Sequence, residues 1–133
     1  MTPAVERFVS SIVGRVATLE RAEGEAPRRT LIKGDASLRN TRTSADGEIA
    51  FVDWEDVRAA NGAVDLAWLL VSSVDPEQWE GVIEAYAPKG DDFVAALPGA
   101  GAQGVLSLSD CEEGSEEAFA WVRRLEAVQQ FLQ

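Results

Sequence analysis

The stretch Leu31-Ile32-Lys33-Gly34-Asp35-Ala36-Ser37-Leu38-Arg39-Asn40 is followed, one hairpin later, by Phe51-Val52-Asp53-Trp54-Glu55-Asp56, and then by Gly62-Ala63-Val64-Asp65-Leu66-Ala67. Thr30-Leu31-Ile32 reads as a short strand that runs straight into Lys33-Gly34-Asp35. Thr41–Ser44 and Glu48–Asp53 read as paired strands about an Asp46-Gly47 turn, because Asp-Gly favours positive φ at both turn positions. From Gly62 onward, Val64, Leu66, Ala67, Leu69, Leu70 and Val71 are apolar nearly all round a helix, which predicts a buried one. The spacing therefore puts Asp35 and Asn40 on one loop and Asp53 at the end of a hairpin strand. Asp65 follows inside an apolar helix.

Working outward, Val5, Phe8, Val9, Ile12, Val13, Val16 and Leu19 recur at three- and four-residue spacing, predicting an amphipathic helix over 4–22. Asp75-Pro76 supplies an N-cap and a first-turn proline for a helix carrying Trp79, Val82, Ile83 and Tyr86. A short helix over 91–97 is expected to stop at Pro98-Gly99, and the Gly-rich residues 101–109 are ambiguous. A last helix starts from Ser115, with Glu116 and Glu117 at its positive end and a stripe of Phe119, Val122, Leu125, Val128, Gln129 and Leu132. The expectation is one α+β domain over residues 1–133, mostly helical, with a small β-hairpin beside the Asp35 loop.

Composition narrows the chemistry. The 133 residues contain no histidine, which removes histidine acid–base catalysis, Ser-His-Asp triads and histidine-containing zinc sites. Cys111 is the one cysteine, so no internal disulfide forms, and a cytoplasmic location is the default. Its acidic neighbours Asp110, Glu112 and Glu113 disfavour a reactive thiolate. The longest apolar runs, such as Ala67–Val71, fall far short of the ~20 residues that span a bilayer. Glu6 and Arg7 interrupt the N-terminus, and no secretory leader is read there. The net charge of −11, from 23 acidic and 12 basic residues, repels nucleic-acid phosphates and anionic membranes and attracts cations. Simple solubility explains the same charge.

Phosphoryl transfer needs a carboxylate to orient the attacking hydroxyl and oxygen ligands to hold magnesium over phosphates. One loop of the form Asp-x-x-x-x-Asn fixes a base and a metal ligand together, and an aspartate after the next hairpin completes the set. The order of Gly34, Asp35, Asn40, Asp53, Trp54, Glu55, Asp65, Leu66 and Ala67 resembles the aminoglycoside phosphotransferase family, the kinase-like small-molecule phosphotransferases that include choline and homoserine kinases. The resemblance is close over residues 31–72. It implies the C-terminal lobe of a protein-kinase-like fold and an ATP- and Mg2+-dependent transfer to a small-molecule hydroxyl. By that resemblance Asp35 is the catalytic base, Asn40 and Asp53 hold magnesium, and Asp65 braces the loop. The acidic surface suits a cationic acceptor.

The sequence departs from the family in two places. Lys33 stands where the family has a loop-supporting histidine. Its expected place is at the bound nucleotide's phosphates, with pairing to Asp35 or simple exposure as alternatives. In addition, 34 residues precede Asp35, with no Gly-rich phosphate loop and no lysine before position 33. The expectation is a C-terminal lobe without its nucleotide lobe, either truncated or completed by another chain. The competing reading is a non-catalytic kinase-like lobe, a binding or regulatory module. Its uncovered face would then serve a protein partner or self-association. A weaker one is a stand-alone metal binder using Asp35, Asn40, Asp53 and Glu55. Each polar residue also has a plainer role, since Asp35, Asn40 and Asp53 could merely cap turns. Asp65 could be a buried structural carboxylate, and Trp54 and Trp68 core or cleft-wall aromatics.

Overall fold

The computed structural model describes residues 2–13, 15, 17–18, 21, 29–86 and 92–133. Helix α1 (Pro3–Ile12) starts where Thr2 caps it, its hydroxyl accepting from the Val5 N–H, with Pro3 in the first turn. It ends sooner than its apolar stripe predicts, because Val13 turns to an extended ψ of 129°. Val16 and Leu19, which continued that stripe, lie outside the described residues.

Strand β1 (Thr30–Ile32) leads through a 3-10 turn (Leu38–Asn40) to the hairpin β2 (Thr41–Thr43) and β3 (Ile49–Phe51), paired Thr41↔Phe51 and Thr43↔Ile49. Only one turn residue, Gly47 (φ 82°), takes positive φ. Its N–H bonds to the Ser44 carbonyl and Ser44 N–H to that of Glu48. This is a type I turn closed by a left-handed glycine, in place of the two-residue turn expected. Strand β4 (Arg58–Ala60) was not expected. It pairs antiparallel with β1, Thr30↔Ala60 and Ile32↔Arg58. The result is two small antiparallel sheets in a mostly helical chain.

Helix α2 (Ala63–Ser73) is the centre of the fold, burying Leu66, Ala67, Trp68, Leu70 and Val71. A 3-10 turn (Pro76–Gln78) precedes α3 (Trp79–Tyr86), so the proline opens a tighter turn and the α-helix begins at Trp79. Helix α4 (Asp92–Ser109) runs through Pro98 and the glycines after it, which corrects the expected stop. Proline removes one helical hydrogen bond, but Pro98 is fully buried, and the glycines let the helix lie close to its neighbours. A Cβ on Gly101 would stand 2.2 Å from the Phe8 ring, and one on Gly104 3.1 Å from Val71 and 3.2 Å from Leu125. Helix α5 (Glu116–Phe131) is capped by Ser115, whose Oγ accepts from Ala118 N–H at 3.1 Å. Its buried face is Trp121, Leu125, Ala127 and Val128, whereas Phe119 points out.

Val5, Phe8 and Ile12 of α1 join Leu66, Leu70, Val71, Trp79, Phe93, Leu97, Trp121, Leu125 and Val128 in one core. Burying each large side chain contributes about 1.5–3 kcal/mol, so this cluster carries the stability and holds α2 rigid. Gly101→Ala should cost about 1–3 kcal/mol in chemical denaturation, since the core-locked Phe8 ring cannot yield to a new methyl. Among the described residues, no helix is long and apolar enough to cross a membrane.

Candidate active site

Helix α2 organises the loop that precedes it. Asn61, buried just before the helix, accepts the Ala63 N–H on Oδ1 at 2.9 Å and donates Nδ2 to the Asp92 carboxylate at 2.8 Å. That bond ties the start of α2 to the start of α4. Asp65 then accepts Lys33 N–H on Oδ2 at 2.7 Å and Gly34 N–H on Oδ1 at 2.9 Å. Three residues on, Trp68 donates its indole N–H to Asp35 Oδ1 at 2.6 Å. Ser73 Oγ accepts the Leu38 N–H at 2.9 Å. Asp65, Trp68 and Ser73 together hold the loop against helix α2 in three places.

Asp35 is gripped from both sides. Asn40 Nδ2 donates to Asp35 Oδ2 at 2.8 Å and also reaches the Asp35 carbonyl at 3.2 Å. Both contacts are acceptors, which fixes the amide orientation and leaves the Asn40 Oδ1 acceptor without a hydrogen bond among the described residues. Burial pushes the Asp35 carboxyl up. The hydrogen bonds from Trp68 and Asn40, the nearby Ser37 hydroxyl and the charge of Lys33 outweigh it, holding it below its ordinary 3.8. Ser37 Oγ is itself buried without a partner in sound hydrogen-bond geometry, so it acts through proximity. Ionised Asp35 therefore contributes stability that is fully present above pH 3.8 and lost as pH falls through the depressed folded value. Trp68→Phe removes one of the lowering contacts. The Asp35 carboxyl, followed by carbon NMR, should then titrate at higher pH, and an unmoved titration would show the indole bond to be without effect.

Lys33 is buried, 4% exposed, and does not point at Asp35. Its Nζ donates to the Asp53 carbonyl at 2.6 Å and lies 5.7 Å from the Trp54 ring centroid and 6.0 Å from that of Phe51. A charge-assisted bond of about 1.5–3 kcal/mol and two cation–π contacts of about 0.5–2 kcal/mol each offset the loss of water around the ammonium. The site thus places Lys33 as a strut between the loop and the hairpin exit. Asp53 is exposed and takes φ 61°, a left-handed conformation costly for a non-glycine residue. The Lys33 bond to its carbonyl, and the Val52 N–H bond to the Asn40 carbonyl at 2.8 Å, hold that conformation.

Hydrogen bonds therefore bring Lys33, Gly34 and Asp65 together beside the Asp35–Asn40 pair, and Asp53 joins them through its backbone carbonyl. Sequence reasoning missed the polar role of Trp68 and the tie through Asn61. The i+3 spacing of Trp68 from Asp65 is the signal that could have found the first. Gly34, at φ 88°, packs where a Cβ would stand 2.3 Å from the Asp56 carbonyl and 2.9 Å from Arg58. An open cleft of about 640 Å³ lies beside Asp35, between the loop, Arg58 and helix α4. Neither Asn40 nor Asp53 lines it.

No group of three or more His, Cys, Asp or Glu side chains converges as a metal cage among the described residues. Asn40 Oδ1 and the Asp53 carboxylate are oxygen groups of the type magnesium accepts when phosphates and water fill its remaining positions. The model of the phosphotransferase enzyme family matches residues 7–98, from α1 to the first third of α4. No curated protein and no solved structure matches the chain. The match covers every residue of the converging set, and the chain belongs to the phosphotransferase enzyme family.

Proposed function

We propose that this chain is a kinase-like lobe that carries the base, the metal ligands and the acceptor side of an ATP- and Mg2+-dependent phosphotransferase acting on a small-molecule hydroxyl. The observation that carries the reading is the double grip on Asp35, by Trp68 and by Asn40, next to a strained Asp53 held by Lys33. Strain of about 1–3 kcal/mol at one residue persists where surrounding contacts over-determine it, and such positions cluster at functional sites.

Asp35, ionised at neutral pH, accepts the proton of the acceptor hydroxyl as its oxygen bonds to the terminal phosphorus of the nucleotide. The bond from that phosphorus to the bridging oxygen breaks, and the nucleoside diphosphate leaves. Two hydrogen bonds make Asp35 a weak base, which suits a loose transition state in which positioning supplies most of the rate. Asn40 and Asp53 would hold magnesium, which when bound neutralises charge on the phosphates. Lys33 acts by fixing Asp53, and Asp65 by fixing the loop backbone.

Leu31, Ile49 and Phe51 on the strands, and Trp54 and Val57 on the connection after Asp53, are exposed. An apolar surface there favours a nucleotide-covering partner on that side, whether another segment or another chain. It is also the observation that favours the alternative, a lobe kept as a binding module. Transfer of labelled phosphate from Mg·ATP to a panel of small alcohols separates the two. Label transfer by the chain that Asp35→Asn reduces by about a thousandfold or more supports catalysis. Equal incorporation by both proteins, or none by either together with no binding of Mg·ATP in calorimetry, would reject it.

A further inference from the structure

Arg39 and Arg58 are 19 positions apart in sequence, yet both line the cleft beside Asp35. Arg39 follows the loop one residue before Asn40, and Arg58 opens β4. Both are exposed, and neither forms an ion pair; among the described residues the one salt bridge joins Arg123 to Glu77. The Arg58 guanidinium makes a long contact of 3.5 Å to the Asp56 carbonyl. It also packs against Gly34, where it would meet an added Cβ at 2.9 Å. The turn that delivers Asp35 therefore sits against one guanidinium. Across the cleft, Gln103 and Ser107 of α4 supply neutral polar groups, and Trp68 forms part of the wall.

In a chain of net charge −11, two arginines without carboxylate partners at one cleft run against the overall field. Guanidinium groups match carboxylate and phosphate oxygens bidentately. Asp56 adds one negative charge to the cleft. The other carboxylate, Asp35, already has a hydrogen bond on each oxygen. Neither Asn40 nor Asp53 lines the cleft, so a molecule held by the arginines would reach Asp35 from a side apart from the proposed metal ligands.

We infer that the acceptor is a small hydroxy acid, an alcohol carrying a carboxylate or phosphate group that Arg39 and Arg58 bind while its hydroxyl lies at Asp35. This rests on the phosphotransferase reading for the chemistry at Asp35, and it replaces the cationic acceptor suggested by net charge. The hydroxyl oxygen gains the phosphoryl group, its proton passes to Asp35, and the nucleoside diphosphate leaves. The acid group is untouched and serves only as the handle.

The test titrates the protein with glycerate, glycerol 3-phosphate, glycerol and choline, following the Trp68 indole N–H resonance, assigned through Trp68→Phe. A parallel titration uses Mg·ADP. One or both anions should shift the resonance, and the two arms show which acid group is preferred. Glycerol and choline should not. Arg39→Gln and Arg58→Gln should each weaken anion binding by about tenfold or more, the loss of one charge-assisted pair, with Mg·ADP binding unchanged. Circular dichroism of both variants checks folding. A stronger response to choline or glycerol, no response to either anion, or weakening of Mg·ADP instead of the anions would overturn the assignment. If Mg·ADP does not bind but the anions do, the phosphotransferase reading fails and the anion site stands.

Discussion

Asp65→Ala should destabilise the protein by about 2–6 kcal/mol, because it strands two backbone N–H donors, each costing about 1–3 kcal/mol when left unpaired. Those donors are Lys33 N–H and Gly34 N–H, and both sit directly before Asp35. The Asp65 carboxylate is their hydrogen-bond partner from the core helix. With α2 itself packed by Leu66, Leu70 and Val71, the helix should survive while the loop loosens. Urea unfolding monitored by tryptophan fluorescence would show the lowered midpoint, and hydrogen exchange would place the loss at residues 33–38. Asp65→Asn keeps one acceptor and should lie between the two proteins. A midpoint within experimental error of the parent would mean that the bonds to Asp65 are not what holds the loop.

The second large effect is expected at Gly34. Its φ of 88° is unfavourable to any residue with a Cβ, and the added atom would stand 2.3 Å from the Asp56 carbonyl. The left-handed conformation alone costs about 1–2 kcal/mol. The clash is with backbone, which cannot turn aside as a side chain could. Gly34→Ala should therefore cost about 2–4 kcal/mol in all. It should also displace Asp35 from Trp68, visible as a shift of the Trp68 indole N–H resonance. Gly47→Ala makes a useful comparison, since its φ is 82° but no atom lies within 4 Å of the added Cβ. That variant should show the conformational cost alone and leave the Trp68 signal in place.

Much of the site was legible because its chemistry is local. Asp35 and Asn40 share one loop, and Asp46-Gly47 marks the hairpin that returns the chain to Asp53. The apolar residues from Ala63 to Val71 announce a buried helix that must give Asp65 a partner. What was not legible depends on contacts distant in sequence. Arg58-Ala59-Ala60 has no strand signature, and it is a strand because β1 pairs with it. Pro98 obeys a sound local rule for ending a helix, yet burial of α4 against Phe8 and Leu125 overrides it. Trp68 looks like any core aromatic until the Asp35 loop is laid across α2. Lys33 was expected at phosphates and is placed under the Asp53 backbone, because an ammonium on a flexible stem can reach a carbonyl in the same fold. The arginine pair was invisible in sequence for the simplest reason, that its members lie 19 positions apart.

The proposed hold of Asn40 and Asp53 on a nucleotide-bound divalent cation beside Asp35 is open to direct measurement. Its most direct test is a titration with Mn2+·ADP, in which the paramagnetic ion broadens nearby NMR signals. The Asn40 side-chain amide and the backbone amides of Asp53 and Trp54 should broaden first, and Asp53→Ala should abolish the effect. Broadening confined to the acidic loop at Asp110–Glu113, or unchanged by Asp53→Ala, would contradict it.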